Sequence, residues 1–368
     1  MTITLSPTRA VPLIDDPSEI TPRWLTAVLR RSGAIGDEST VTICDATRFA
    51  EDRARRSRLY RVRVGYESVE AGGPSSLVVK LGTTDPGQHA IAKVLGLYRR
   101  EAFVYNELRR DLPYRVPRCH LAAVSDDGGH TTLVLEDLGR CRTIDQTIGA
   151  SWNVILDCVD AMAAQHTAFS DEALLGELAV ELWPLAHPVH RAALPKRFDA
   201  AWAVAKAALG DQLDAELVHF GDRWSSECGP LLDRLQSHPT LLHGDWRADN
   251  LFYDGNELIV SDFQISGIGA GAYDLAHFVS QSVDPDERTG RDRGIVERYV
   301  RRLASHGVHH DVEAVWEEYR IALLVCLTHP VTAFRTWSTD NDHRRAVTEA
   351  MLLRSADAIR ATGALEVR

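Results

Sequence analysis

The chain is nearly free of lysine. Lys80, Lys93, Lys196 and Lys206 are the only four among 368 residues, although 41 positions carry lysine or arginine. Arginine is therefore the default cation of this sequence, and a single arginine says little about function. A lysine is more informative because so few positions have one. Acidic residues outnumber basic ones and give a formal charge of −11, which argues against binding to nucleic acid or to an anionic membrane.

Paired cysteines and long apolar runs are also missing. The six cysteines show none of the spacings of metal or redox sites, so we expect buried free thiols in a reducing, cytoplasmic compartment. The apolar stretch 321–327 ends at Thr328 and Pro330, far short of the ~20 residues of a membrane span. The first residues lack the charged start and apolar core of a signal peptide. The sequence thus predicts no membrane segment.

The length and the apolar content of 45% favour about two domains or lobes. Tyr60, Val62 and Val64 alternate with arginines, which predicts a half-exposed strand, and a short apolar run ends in Lys80. Residues 88–110 have the apolar spacing of a helix. From about residue 141 helical spacing dominates, so a strand-rich first third precedes a larger helical part.

Three polar residues stand out in an interruption of the helical part. Asn250 follows Asp245 by five positions, and an apolar stretch then ends in Asp262. The turn sequence at 254–256 predicts a β-hairpin that holds the three at one end. Amide and carboxylate oxygens suit Mg²⁺, and a second carboxylate can accept a proton from an attacking hydroxyl. Phosphoryl transfer needs such a set, because its catalysis consists of positioning and electrostatics.

These motifs resemble those of the aminoglycoside phosphotransferase and choline kinase type of small-molecule kinases, which share the protein-kinase fold. The segment HGDWRADN at 243–250 is similar to the catalytic loop of that family. LVLEDLG at 133–139, AAQHTAF at 163–169 and SDFQISGIGAGAYDLA at 261–276 together resemble its ecdysteroid kinase-like branch. The resemblance covers about residues 20–340, and its motifs are specific to phosphotransferases rather than to one substrate.

The resemblance implies an α+β, two-lobed, protein-kinase-like fold. Residues 1–137 would form an N-terminal helix and a nucleotide-binding N-lobe, with a small antiparallel sheet and one main helix. Residues 138–368 would form a larger, mostly helical C-lobe with the catalytic loop and the acceptor site. The cofactors implied are ATP, with GTP as an alternative, and Mg²⁺. The partner would be a small molecule with a hydroxyl group, and not nucleic acid or a membrane.

A role follows for each residue that matches the family pattern. Asp245 would be the catalytic base, and Asn250 and Asp262 the magnesium ligands. Lys80 would contact the α- and β-phosphates. Glu101 would pair with Lys80 and hold it in place, and Glu107 is the alternative partner.

Further roles concern the adenine and the catalytic loop. Leu135 would sit behind the adenine, and the backbone of Glu136 and Leu138 would hydrogen-bond to its edge. Asp274 would brace the catalytic loop from the following helix. His243 is interpreted as a residue that holds this loop through hydrogen bonds.

The sequence departs from the family pattern where a glycine-rich loop usually covers the phosphates. No glycine occurs between Ala46 and Val64. Ser57 could donate a hydrogen bond to a phosphate there. Positive charge could come from Arg55, Arg56 or Arg58. The alternative is a solvated basic turn in a chain rich in arginine.

The predicted function is the ATP-dependent transfer of a γ-phosphate to a hydroxyl of a small molecule such as an antibiotic, a sugar or a sterol-like metabolite. One alternative is a catalytically silent, kinase-like nucleotide-binding module. Another is a metal-dependent hydrolase that uses His243 and Asp245. Gly267, Gly269 and Ala272 match a dinucleotide fingerprint, but the required second strand does not follow.

Overall fold

The computed structural model describes residues 11–50, 56–68, 72–339 and 341–367. The chain divides into two compact units. The first unit consists of the described residues within Met1–Glu107 and Pro117–Arg140, and the second of Leu108–Val116 and the described part of Cys141–Arg368. The short segment Leu108–Val116 groups with the second unit, although it lies between the two parts of the first in the sequence.

The first unit is built on an antiparallel sheet of five strands in the order β1-β2-β3-β5-β4. The predicted antiparallel sheet is thus confirmed. Its elements are α1 (Pro22–Arg31), β1 (Val41–Phe49), β2 (Ser57–Tyr66), β3 (Ser76–Gly82), α2 (Pro86–Val94), α3 (Leu97–Phe103), β4 (Cys119–Val124) and β5 (Thr131–Glu136), with a 3₁₀ turn at Pro17–Glu19.

The first helix shows why the sequence folds locally as it does. The Thr21 hydroxyl accepts a hydrogen bond from the amide of Trp24 at 3.3 Å, and Pro22 occupies the first helical position. Leu25 and Val28 are fully buried and belong to one apolar cluster with the inner face of the sheet. This packing fixes α1 against the sheet.

The helix predicted over 88–110 is divided in the structure. Gly96 has φ +63° between α2 and α3, a left-handed conformation that interrupts helical hydrogen bonding. A π-helical turn at Val104–Leu108 follows α3. The bounds predicted for this helix are therefore wrong, because the apolar spacing continues across Gly96, which separates α2 from α3.

The second unit is mostly helical. Its helices are α4 (Trp152–Ala168), α5 (Glu172–Leu178), α6 (Pro188–Leu209), α7 (Ala215–Gly221), α8 (Trp224–Arg234), α9 (Ala272–Ser282), α10 (Pro285–Arg288), α11 (Asp292–Ser305), α12 (Val312–Cys326), α13 (Thr328–Ala333) and α14 (Asp342–Ala361). Short 3₁₀ turns lie at Gly210–Gln212, Ala248–Asn250, Phe334–Thr339 and Ala364–Glu366. Every residue of α9 is buried, so this helix forms the centre of the unit.

Two small sheets place the predicted catalytic residues on the second unit. One pairs β7 (Pro239–Leu242) with β10 (Gly267–Ala270), antiparallel, with Leu242 opposite Gly267. The other has the order β6-β8-β9, from Arg142–Thr143, Leu251–Asp254 and Glu257–Val260. β8 and β9 form the predicted hairpin. Within the described ranges, no helix combines the length and the apolar character needed to cross a membrane.

Candidate functional site

The loop after β7 is held by a buried carboxylate. Asp274 on α9 accepts hydrogen bonds from the amides of His243 at 2.7 Å and Gly244 at 2.8 Å. Gly244 has φ +82°, and a Cβ there would lie 2.3 Å from the carbonyl oxygen of Ile265, so only glycine fits. The predicted brace from Asp274 is confirmed, and it fixes the backbone immediately before Asp245.

His243 serves this loop with both ring nitrogens. Nδ1 accepts a hydrogen bond from the amide of Asp245 at 3.1 Å, so the ring hydrogen is on Nε2, which donates to the carbonyl oxygen of Ser261 at 3.1 Å. No lone pair of this imidazole is left for a metal ion. The structural interpretation of His243 is confirmed, and the metal-dependent hydrolase loses one of its two proposed residues.

Asp245 lies in a cationic environment. Its Oδ1 is 3.5 Å from Nε2 of His277 and 3.6 Å from Nε of Arg247. Burial alone would raise the pKa of Asp245, but nearby positive charge, foremost that of Arg247, outweighs burial and lowers the pKa to about 2. The carboxylate is therefore ionised at neutral pH and can accept a hydrogen bond from a hydroxyl group.

Asn250 and Asp262 are brought together by the backbone between them. The Asn250 side-chain amide donates to the carbonyl oxygen of Asp245 at 2.9 Å, which leaves Oδ1 of Asn250 as an acceptor. The Ser261 amide donates to the Asn250 carbonyl oxygen at 3.0 Å, so Asp262 directly follows a contact with Asn250. One amide oxygen and one carboxylate fit Mg²⁺, which usually takes one or two carboxylates together with substrate phosphates.

Asp262 has an uncommon backbone conformation. Its φ is +67°, in the left-handed region that non-glycine residues rarely occupy. Aspartate tolerates this region better than most residues, but the conformation still carries some strain. Such strain is typical of positions where the side chain is needed at that point of the chain.

Arg247 is a functional candidate that the sequence analysis missed. Its Nε is 3.6 Å from Asp245 and its guanidinium is 3.7 Å from Asp249. Burial lowers the pKa of Arg247, but Asp245, Asp249 and Asp262 more than offset this and raise it. In a chain with so many arginines, composition gave no reason to single this one out. The available signal was its position two residues after Asp245.

In the first unit, Lys80 and Glu101 form a buried ion pair. Lys80 lies on β3 and Glu101 on α3, and Nζ is 2.7 Å from Oε1. Both residues are almost inaccessible, with relative exposures of 6% and 1%. The predicted pairing is confirmed, whereas the alternative partner Glu107 is exposed. The pair fixes the direction of the Lys80 side chain.

The basic segment before β2 is used partly by the sheet itself. Arg58 donates from Nε to the Gly82 carbonyl oxygen at 2.7 Å and from its terminal nitrogen to the Asp15 carbonyl oxygen at 2.6 Å. Arg58 is therefore buried rather than a solvated or phosphate-directed cation. Ser57 is the first residue of β2 and is also buried. Arg55 lies outside the described residues.

The predicted adenine contacts lie at the end of β5. The amide of Glu136 donates to the carbonyl oxygen of Arg118 at 2.8 Å, so this amide is already used within the first unit. Leu138 follows the strand, is buried, and its backbone takes part in none of the hydrogen bonds among the described residues. Hydrogen bonds from Glu136 and Leu138 to adenine stay a prediction.

The glycines of the apparent dinucleotide fingerprint have a packing role. A Cβ on Gly267 would lie 2.8 Å from the carbonyl oxygen of Trp183, and that oxygen accepts from the Ile268 amide at 3.2 Å. β10 is therefore flanked by β7 on one edge and by the Trp183 segment on the other. Trp183 stacks on His187, with ring centroids 4.3 Å apart. This aromatic pair adjoins the strand that leads from Asp262 to α9.

Comparison with known proteins adds to this geometry. The model of a family described as the phosphotransferase enzyme family matches residues 66–320. No curated protein sequence matches the chain. The ecdysteroid kinase-like branch stays a prediction, because the family model covers the wider family.

Solved structures resemble the chain over nearly its whole length. Choline kinase from Cryptosporidium parvum Iowa II is 12% identical, with a TM-score of 0.55 and coverage of 93% of this chain and 97% of that one. The GDP and kanamycin complex of APH(2″)-IIIa is also 12% identical, with a TM-score of 0.54 and coverage of 92% and 99%. At these identities the likeness concerns the fold, and the predicted protein-kinase-like fold is confirmed.

Proposed function

Because the chain belongs to the phosphotransferase enzyme family, we propose that it transfers the γ-phosphate of ATP, or alternatively GTP, to a hydroxyl group of a small molecule. The observation that carries this proposal is the ionised Asp245 on a braced loop, close to the oxygen ligands of Asn250 and Asp262. The acceptor class stays open among antibiotics, sugars, sterol-like compounds and other metabolites.

Asp245 is the residue that orients the acceptor hydroxyl. With its pKa lowered to about 2, it is a hydrogen-bond acceptor at all physiological pH values but a weak base. A hydroxyl becomes acidic enough to lose its proton only as its oxygen bonds to phosphorus. Asp245 therefore first aligns the hydroxyl oxygen with the phosphorus and then receives the proton as that bond forms.

Asn250 and Asp262 are the residues that would hold magnesium. When bound, Mg²⁺ neutralises charge on the β- and γ-phosphate oxygens and thereby lowers the barrier to transfer. The Asn250 amide is oriented by its hydrogen bond to the Asp245 carbonyl oxygen, so the ligand oxygen is prepared before the nucleotide binds. The positive charge of Arg247 offsets the nearby carboxylates, which would otherwise repel the phosphates.

Lys80 is assigned to the α- and β-phosphates. Its ammonium carries three donors, one of which is given to Glu101. Ser57, Glu136 and Leu138 are assigned to the nucleotide as well, the first through its hydroxyl and the others through their backbone.

A second candidate is a nucleotide-binding module without catalysis. Two observations favour it. No glycine occurs between Ala46 and Val64, and the Arg58 guanidinium donates to the Gly82 carbonyl oxygen within the sheet. Without close backbone approach in that loop, the phosphates could be held too loosely for transfer.

A search for phosphorylated products tests both candidates. The protein is incubated with Mg·ATP and a pool of hydroxylated metabolites and antibiotics, with Asp245→Asn as the control. Mass spectrometry then identifies compounds that gain a phosphoryl group. A gain that requires Asp245 supports the transferase and names the acceptor class. Nucleotide binding without any gain supports the silent module, and the absence of nucleotide binding contradicts both.

A further inference from the structure

His277 is a fully buried histidine on α9 whose ring faces the catalytic loop. Its Nδ1 is 3.0 Å from the carbonyl oxygen of Trp246, and its relative exposure is 0%. A carbonyl oxygen can only accept a hydrogen bond, so Nδ1 must carry the ring hydrogen. Trp246 directly follows Asp245, and the imidazole is therefore anchored to the same loop as the proposed base.

The other ring nitrogen points at that base. Nε2 of His277 lies 3.5 Å from Oδ1 of Asp245 and has no hydrogen-bond partner among the described residues. Burial lowers the pKa of His277, so the resting ring is neutral and Nε2 presents a lone pair. A lone pair facing a carboxylate oxygen makes no bond, but it becomes a hydrogen-bond acceptor as soon as that oxygen carries a proton.

The charged groups around the His277 ring favour a proton on its Nε2. Asp245 from the loop and Asp274 from the same helix both favour the charged imidazole, whereas Arg247 disfavours it. From α13, His329 packs edge-on against the ring, with centroids 4.4 Å apart. His329 in turn contacts Tyr273, which is uncharged, and the Tyr273 hydroxyl lies 2.7 Å from Nε2 of His329. Two carboxylates thus face His277 against one fixed cation.

We propose that His277 is a second proton acceptor of the catalytic centre, an inference that rests on the proposed phosphotransferase function. The acceptor hydroxyl loses its proton to Asp245 as its oxygen bonds to phosphorus and the bond from phosphorus to the leaving diphosphate breaks. The O–H bond on Asp245 then breaks as an N–H bond forms on Nε2. The resulting imidazolium is held between the Asp245 carboxylate and the Trp246 carbonyl oxygen. After the products leave, the N–H bond on Nε2 breaks and the proton returns by way of Asp245 to solvent, which restores both groups for the next hydroxyl.

The protonation of the resting ring is the first test, and it needs no substrate. The protein is labelled with ¹⁵N-histidine, and the His277 signals are assigned by their loss in His277→Asn. The proposal expects hydrogen on Nδ1 and a bare Nε2 at neutral pH in the wild-type protein. Hydrogen on Nε2, in either the neutral or the cationic ring, would overturn it, because that nitrogen could then only orient Asp245.

The second test separates proton uptake from positioning by a pair of substitutions. In His277→Asn the side chain is too short to reach Asp245. In His277→Gln the amide can reach Asp245 and form hydrogen bonds, but it cannot take up a proton. We expect kcat for the acceptor found in the product search to fall about 10- to 10²-fold in both, the lower end of general-base effects, with KM for that acceptor unchanged. The matched control is His219→Asn, at an exposed histidine on α7.

The outcomes are distinguishable. Wild-type kcat in both variants, or full recovery in His277→Gln, overturns the proton role of His277 while Asp245→Asn still lacks activity. Full activity of Asp245→Asn would instead overturn the proposed function. Thermal unfolding verifies that each variant folds. If His277→Asn does not fold, the His277 signals are assigned by their loss in His277→Gln, and the labelling experiment on the wild-type protein decides the matter.

Discussion

Lys80 in the first unit and Asp245 in the second are both charged residues with proposed roles, and they are held by different kinds of contact. Lys80 is fixed through its side chain, by a buried ion pair with Glu101 at 2.7 Å. Asp245 is fixed through its backbone, because Asp274 binds the two preceding amides. Its carboxylate lies 3.6 Å from the Arg247 guanidinium, a longer separation than that between Lys80 and Glu101.

The difference corresponds to what each residue has to do. A residue that attracts phosphate needs a fixed direction, and a charged partner such as Glu101 provides it. A residue that accepts a proton must keep its oxygens accessible. It must also remain basic enough to take up the proton, and a close ion pair would lower its pKa further. The brace on the backbone supplies order without using the carboxylate.

The largest expected effect comes from a substitution that impairs the proposed catalysis but leaves the hydrogen bonds between Asp274 and the loop intact. Asp245→Asn retains the size and the backbone contacts of the residue but removes its charge. We expect kcat to fall about 10²–10⁴-fold, as for loss of a general base, with nucleotide affinity close to that of the wild type. Steady-state kinetics on the identified acceptor measure this. An equal fall in nucleotide affinity would mean that Asp245 serves binding instead.

The next effect breaks the brace itself. Asp274→Ala removes the acceptor of two buried amides and of the His166 ring, which lies 3.3 Å away. Each buried hydrogen bond to a charged group contributes about 1.5–3 kcal/mol, so we expect the free energy of unfolding to fall by about 3 kcal/mol or more. Urea denaturation measures it. A variant with unchanged stability would show that the loop holds itself without Asp274.

In the first unit, stability and function should separate. Glu101→Ala removes the buried carboxylate that faces the Lys80 ammonium and should cost about 3 kcal/mol of unfolding free energy. The double variant Lys80→Met with Glu101→Leu should recover most of that stability, since apolar residues can replace a buried ion pair. Nucleotide affinity, measured by calorimetry, should stay low in both. Recovery of affinity in the double variant would contradict the role of Lys80.

The smallest effect concerns the acid side of the pH range. The pKa of Asp245 is lowered to about 2, so its contribution to stability is complete above its unfolded pKa of about 3.9 and is lost as pH falls through about 2. The stability difference between wild type and Asp245→Asn should be constant above pH 5. It should then shift against the wild type by on the order of 2 kcal/mol between pH 4 and 2. A difference that is constant throughout would contradict the lowered pKa.

Parts of this arrangement were predictable from sequence because they depend on local patterns. Lys80 closes an apolar strand, and Asp245, Asn250 and Asp262 keep a spacing that a hairpin turns into proximity. The resemblance supplied Asp274 as the brace. Each of these contacts follows from strand and helix directions that residue spacing already encodes.

Other parts depend on which side of a helix faces a distant loop. His277 lies one turn after Asp274 on a helix buried on all sides, so no amphipathic pattern distinguishes its inward face. Arg247 was hidden by an arginine-rich composition. The division of the predicted helix at Gly96 was missed because apolar spacing continued across it. Local periodicity cannot reveal these features, since tertiary packing selects them.

The left-handed backbone of Asp262 has a consequence for how this chain could change over time. Glycine adopts φ +67° without strain, so Asp262→Gly should relieve about 1 kcal/mol at this position while removing the proposed metal ligand. A single such substitution would be favoured by folding and opposed only by selection for catalysis. Once that selection relaxes, a stable, inactive descendant of this protein lies one mutation away.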